Sequence, residues 1–490
     1  MKFSRKLRKI AASVLAVSLS AGALVGCGGN NKQAATNAQG EEIVSLKWVI
    51  IGNGMPENYD SWSATVNEYI GEKIGVNVEM EIIPWGSWDD RRNIIISTNE
   101  PYDIIFGNGN NYNADIKLGA YADITDLISE NMSEFNELMP EKYWDAVRAV
   151  DGRIYGVPAY KDSSISNYCV WDKELVDEYG IDTKNLMDLK DMTPIFEQLK
   201  ADKNDYPVYI KNDGVYMIFD KYDQIGGGTQ ILGVRYDDEE ARVCFTLEEE
   251  DLFSELQTFH DWYKKGIINP DAATLTEARN YNMWRIAQGW ESAGETVWGP
   301  DMGKEVEVAK WGDTILSNET VRGSMNMISI NTKYPEKCLQ LLNLVNMDTK
   351  LRDLFYYGEE GVNFEYVDVD GVQKVHKITT DWPMAGYTQG TFFTVTPVET
   401  DVNDQWGEIK ALNEAAVPSV MLGFNFDTTE VDSELANCRE IWLRYKSEVM
   451  AGVKDPVEVV PKIKEELMAA GFQKILDEAQ KQVDAFMASK

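Results

Sequence analysis

The sequence predicts an α/β chain of two ordinary-sized domains behind a secretory leader, and three observations carry that prediction. From Ser45 onward, short β-branched runs alternate with amphipathic stretches of helical period, the pattern of a parallel sheet covered by helices. The chain has 490 residues, 44% of them hydrophobic, enough for two substantial cores. Only its N-terminus has the composition of a targeting segment.

The leader comes first. Lys2, Arg5, Lys6, Arg8 and Lys9 form a basic start, and Ile10 to Val25 an apolar run of 16 residues. That run is shorter than the roughly 20 residues that span a bilayer as a helix. Leu24-Val25-Gly26-Cys27 resembles the lipobox of bacterial lipoproteins, in which cleavage exposes the cysteine for lipid attachment. Residues 1–26 then read as a signal peptide, with Cys27 as the lipidated residue anchored by palmitate-type acyl chains, and 27–43 as a flexible tether. A buried or disulfide-bonded Cys27 is the other reading, opposed by neighbours (Gly28, Gly29, Asn30, Asn31) that build no core.

Then come strand SLKWVII, helix YDSWSATVNEYIGEKIG, strand VNVEMEII, helix SWDDRRNIIIST and strand YDIIF. Further helices are expected around 172–180, 247–265, 335–344, 431–451 and 457–485, loops at 225–228 and 298–303, and a hairpin over 367–375 with Asp-Gly at its turn. No repeat of 20 to 50 residues is visible.

Charge narrows the function. Lys and Arg total 47 against 81 Asp and Glu, and 42 against 81 once the leader is removed, a net of −39. Nucleic acid is a poor partner for such a chain, since phosphate backbones are held by clustered positive charge. Cys169, Cys244, Cys338 and Cys438 each lie in an apolar-periodic segment and read as buried free thiols. There is no GxSxG, P-loop or HExxH, and only two histidines, His260 and His376, far apart. A zinc site and a histidine-based triad are therefore not expected, nor any cofactor or metal. GGGTQILG lacks the dinucleotide-binding spacing, and Asp368 with Asp370 lacks the closing glutamate of a calcium loop. Paired carboxylates for glycoside hydrolysis stay open, because their separation is a property of the fold.

The chemistry that is abundant is aromatic and amide side chains in loops after strands. Pro84-Trp85-Gly86-Ser87-Trp88 follows one strand, and Gly107-Asn108-Gly109-Asn110-Asn111-Tyr112 another. In an open parallel sheet, ligands sit beyond the carboxyl ends of the strands. An indole face covers the C–H face of a sugar ring, while amides exchange hydrogen bonds with hydroxyls. From this half we select Trp85, Asn108, Asn110, Asn111 and Tyr112; the asparagines serve equally as turn residues. Lys161 and Asp162, after GVPAY, border the expected cleft or form a plain ion pair. From the other half we select Trp290 and Trp298, among helix-breaking residues.

Several stretches then resemble one known family, the extracellular solute-binding lipoproteins of ABC importers, in the large Gram-positive branch linked with sugar uptake. PYDIIFGNGNNYNADIKLGAYADITDLI is similar to its strand, ligand loop and helix entry, and DGRIYGVPAYKD to its first crossing between lobes. VRGSMNMISINTKYPEKCLQLLNLVNMDTKLRDLFYYGEEG resembles its return segment. LGFNFDTTEVDSELANCREIWLRYKSEVMAGVKDP with AAGFQKILDEAQKQVDAF resembles the C-terminal domain of unknown function of that branch. WPMAGYTQGTFF is similar to a stretch lining the cleft mouth, and there, near the expected third crossing, the resemblance adds Trp382 and Trp406 as candidates. One departure is Val362-Asn363-Phe364-Glu365, where the family commonly has a histidine-tyrosine pair.

The resemblance implies a type II, two-lobe periplasmic-binding-protein-like fold with a ligand cleft between lobes. Lobe 1 is expected to comprise 44–158 with 320–385, and lobe 2 159–319 with 386–490, with the second crossing near Leu316 to Arg322. It implies a monomer, not an enzyme, that captures a carbohydrate, an oligosaccharide in particular, by lobe closure and delivers it to an ABC permease at the outer face of the cytoplasmic membrane. The alternatives are a lipid-anchored glycoside hydrolase, or a binding protein for a peptide or other non-sugar solute.

Overall fold

The computed structural model describes residues 43–490 except 227, 228, 278 and 402. The lipobox reading at Cys27, the leader and nearly all of the tether lie outside the described residues, as does part of the 225–228 loop. Among the described residues, no helix is long and apolar enough to cross a membrane.

Strand β1 (Val44–Gly52) buries a continuous apolar run, and helix α1 (Tyr59–Ile74) leads into β2 (Val76–Pro84), which pairs parallel with β1. Helix α2 (Trp88–Thr98) then leads to β3 (Ile104–Gly107), parallel to the other side of β1, and α3 (Gly109–Lys117) follows. All five elements stand where the alternating periodicity puts them. Both α1 and α2 end on left-handed residues, Gly75 and Asn99, as helix C-termini commonly do. After β4 (Gly156–Pro158) the chain leaves this sheet, and β5 (Ile165–Asp172) begins another.

In that second body, β6 (Tyr222–Gln224), β7 (Leu232–Arg235) and β8 (Cys244–Phe245) form a small antiparallel sheet. Strands β9 (Trp284–Gln288) and β10 (Val306–Leu316) flank β5. The chain then returns, through Ser317 to Ser324, to β11 (Met325–Ile328), which lies antiparallel between β3 and β4. The expected hairpin is β12 (Phe364–Val369) with β13 (Val372–Lys377), turning on Asp370 and Gly371, both at positive φ. Finally β14 (Val417–Pro418) pairs with β10. The first sheet therefore runs β2-β1-β3-β11-β4 and the second β14-β10-β5-β9.

Each sheet has its own core, and the two cores define two lobes. The first is built from residues between Leu46 and Tyr160 and again between Leu316 and Ala416; the second from Cys169 to Trp311 and again from Met421 to Val483. The third change of body thus comes at β14, later than the expected 385/386. Phe392, Val395, Trp406 and Ile409 fill the first core. The physical reason is Arg352, fully buried, whose Nε donates to Thr391 O (2.7 Å) and whose Nη2 donates to Gly386 O (2.6 Å), binding this segment to the first lobe.

Two further expectations change. Residues 298–303 are not a loop: Gly294–Trp298 and Gly299–Met302 form consecutive helical turns against the outer face of the second sheet. The last predicted helix is two, Pro456–Ala469 and Phe472–Ser489, broken at Gly471 with φ 96°. The four described cysteines are free and buried, as expected. His260 is largely buried and its Nδ1 lies 2.8 Å from Gly452 O.

Candidate functional site

The carboxyl ends of β1 and β2 position the first functional side chains by register alone. Gly52 sits opposite Pro84, so the next residues, Asn53 and Trp85, emerge side by side. Trp85 Nε1 donates to Asn53 Oδ1 at 2.7 Å. The segment after Trp382 crosses this rim: Asn53 N donates to Pro383 O (2.9 Å), and a Cβ at position 52 would meet that same carbonyl at 2.7 Å. Glycine at 52 is what lets the crossing chain lie so close. It carries Tyr387 under Trp85, with ring centroids 6.3 Å apart and planes 21° apart, while Phe106 meets Tyr387 edge-on at 6.1 Å. Trp85 keeps 46% of its surface exposed. The result is an indole fixed by a hydrogen bond and a stack, presenting apolar area to solvent beside an amide.

The first crossing borders the same platform. Lys161 pairs with Asp162, and its Nζ lies 5.7 Å from the centre of the Tyr387 ring. This crossing is held by Asn413 of the helix Gln405–Ala415, which accepts from Ser163 N (3.1 Å) and Ser164 Oγ (2.9 Å) and donates to Lys161 O. The other end of that helix reaches the second lobe. Glu408 Oε2 accepts from Ser292 Oγ (2.6 Å) and Oε1 from Glu291 N (2.5 Å), just beyond the end of β9. The helix, which contributes Trp406 and Ile409 to the first core, is therefore clasped to the loop that carries Trp290. Trp290 is half-buried and packs against both the first core and the small cluster on the outer face of the second sheet. Its indole Nε1 is buried without a hydrogen-bond partner.

The remaining sequence-predicted residues divide. Asn108 caps α3, its side chain accepting from Asn110 N at 3.1 Å, so its turn role is real. Asn110 is exposed and Asn111 half-buried on the first turn of α3. Tyr112 is a correction: it is fully buried, its hydroxyl donating to Val147 O (2.8 Å) and accepting from Tyr155 N (3.1 Å), and burial pushes its phenol up to about 12. Trp298 is buried 5.7 Å from the Tyr168 ring. Trp382 donates to Phe355 O (3.0 Å) and packs on Trp62, and Trp406 is wedged against Phe392 and Tyr356. Trp298 and Trp406 are buried and pack within their lobes, while Trp382 is half-buried with its indole held by these contacts. Sequence reasoning missed Asn53 and Tyr387. Tyr387 lay within the singled-out WPMAGYTQGTFF, and Asn53 held the same position after its strand as Trp85 did after the next.

This two-lobe α/β architecture, with aromatic and amide groups at the carboxyl rim of one sheet, is that of a solute-binding protein, and the comparisons agree. Residues 54–223 match the bacterial extracellular solute-binding protein family, and residues 420–488 match a domain of unknown function, DUF3502. The chain is 28% identical over 493 residues, 98% of each chain, to a carbohydrate ABC transporter substrate-binding protein of Streptococcus pneumoniae. It is 22% identical over 284 residues, 54% of this chain and 52% of its relative, to Lipoprotein LipO of Bacillus subtilis. Among solved structures, the N-glycan transport solute binding protein NgtS of Streptococcus pneumoniae superposes with a TM-score of 0.82 at 25% identity, covering 91% of this chain and 99% of that one. Its complexes with Man1GlcNAc and Man5GlcNAc give 0.75 and 0.72, at 25% and 26% identity, each over 91% of this chain and 100% and 99% of theirs.

Proposed function

We propose that this protein is the substrate-binding component of a carbohydrate ABC importer, capturing an oligosaccharide between its lobes and delivering it to a membrane permease. The observation that carries the reading is the Trp85–Asn53–Tyr387 platform. A half-exposed indole, held by a neighbouring ring and an amide, suits the C–H face of a pyranose with its hydroxyls turned to polar neighbours. The S. pneumoniae relatives, one a carbohydrate ABC transporter substrate-binding protein and the other crystallised with mannose-containing glycans, support the same substrate class. In this reading Asn110, Asn111, Lys161 and Asp162 border the ligand from the first lobe and its edge, and Trp290 meets it from the second.

No covalent chemistry is needed. The lobes, 44–158 with 320–416 and 159–319 with 417–490, turn on the crossings 159–164, 317–323 and 416–421. Ligand that touches both lobes stabilises the closed arrangement by its differential affinity, and the permease recognises that arrangement. Acyl chains at Cys27 keep the monomer at the outer face of the cytoplasmic membrane and raise its effective concentration at the permease.

A thermal-shift screen of neutral oligosaccharides, Man1GlcNAc and Man5GlcNAc among them, tests the reading, because a ligand that binds only the folded state raises the melting temperature with saturation. A raised melting temperature with intact glycan recovered afterwards is expected. Release of shorter sugars from the incubated glycan overturns it in favour of a hydrolase.

A further inference from the structure

A second polar site lies away from the Trp85 platform, between the helix Gln405–Ala415 and the outer face of the second sheet. It is a cavity of about 610 Å³, lined by Tyr168, Glu291 and Lys310 on one side and by Ala411 and Leu412 on the other. That size is within the roughly 300–1,000 Å³ typical of small-molecule sites. The register of the sheet builds its floor, because Tyr168 of β5 and Lys310 of β10 are directly paired across antiparallel strands and so lie on one face. Val170 and Tyr168 pack with Trp298 and Met302 of the 294–302 turns, and Tyr168, Val308 and Lys310 line the cavity beside them.

Tyr168 decides the matter. Its residue surface is 4% exposed, and its ring is packed 5.7 Å from that of Trp298, yet its hydroxyl has no hydrogen-bond partner among the described residues and the side chain lines the cavity. The hydroxyl is not among the buried atoms that lack a partner, so it is open to solvent where the side chain lines the cavity rather than sealed within the fold. Its phenol is pushed up to about 12, first by burial and then by the nearby carboxylates of Glu408 and Glu291, so it holds its proton and remains a donor. Lys310 and Lys184, which also line the cavity, form no ion pair among the described residues. The cavity thus offers a phenol, ammonium groups and two carboxylates of opposite sign, Glu291 and the Glu408 that already accepts from Ser292, with alanine and leucine side chains on the helix side. Mixed charge disfavours a simple anion or cation, whereas neighbouring hydroxyls use donors and acceptors together.

We propose that this cavity is a carbohydrate subsite, taking a neutral pyranose whose hydroxyls bond Tyr168, Lys310 and Glu291 while its C–H face rests on Ala411 and Leu412. It lies between residues of both lobes and next to Trp290, so a sugar held there adds to the contacts that a closed cleft makes. The proposal rests on the carbohydrate reading above and extends it to residues that reading does not use.

Calorimetric titration of the full chain with Man5GlcNAc tests it. Tyr168→Phe removes one hydroxyl and keeps the ring against Trp298; it is expected to weaken binding about fivefold, the net worth of roughly one hydrogen bond, with an unchanged melting temperature. Ala411→Trp, at an exposed position on the helix, fills the cavity without entering a core and is expected to weaken binding by more. Trp85→Ala serves as the control for the platform. If Trp85→Ala weakens binding while both cavity variants bind like the parent, the second site is refuted and the carbohydrate reading stands. If the parent takes up no Man5GlcNAc, both are overturned.

Discussion

Replacing Trp85 by alanine perturbs the proposed platform most directly, and the structure fixes the expected size. A tryptophan offers up to about 250 Å² of surface, and 46% of it remains exposed here, so about 115 Å² is available to a ligand. A sugar covering half of that area removes about 60 Å² of apolar surface from water, which at about 25 cal/mol per Å² is about 1.5 kcal/mol, or roughly tenfold in affinity. The cost to the free protein is smaller in kind, since the variant loses a stack on Tyr387 and one hydrogen bond at the rim and opens no sealed cavity. Titration with Man5GlcNAc should therefore give at least tenfold weaker binding, and thermal unfolding without ligand a melting temperature within a few degrees of the parent. Parent-like affinity joined to a large fall in melting temperature would refute the reasoning and make Trp85 a packing residue.

Cys27→Ser should leave the fold intact and release the protein from membrane fractions; retention as firm as the parent's would contradict the lipobox reading. Small-angle scattering with and without a saturating oligosaccharide should show a smaller radius of gyration in the bound state, and an unchanged radius would count against closure. Asp223 is buried and Asp220 half-buried, accepting from Ser419 and Asn167 respectively, and removal of their carboxyls from water pushes both up to about 7. Because these folded-state values lie above the unfolded value near 4, the fold binds more protons than the unfolded chain between about pH 4 and 7. Their stabilising contribution is therefore full below about pH 4 and is lost as pH rises through 7. The melting temperature should fall across that range, and Asp223→Asn should flatten the fall; an equally steep profile in the variant would remove Asp223 as a cause.

The sequence by itself determined what depends on neighbours along the chain. Periods of two and 3.6 placed β1, α1, β2, α2 and β3, and the Asp-Gly step placed the β12–β13 turn, because strand, helix and turn are each set by a few consecutive residues. The flanking Pro84 and Gly86 marked Trp85 as a rim residue, for they end the strand and leave the indole outside it. Tertiary structure alone decided which other aromatics were available. Tyr112, Trp298, Trp382 and Trp406 share with Trp85 a setting at a loop or an element end, but each is covered by residues distant in sequence, as Tyr112 is by the backbone of Val147 and Tyr155. Tyr387 was equally illegible, because its place under Trp85 comes from the close approach of residue 383 to Gly52, a contact across 331 positions. Burial is a property of what packs over a side chain, and a single chain read in order does not record which distant segment that will be.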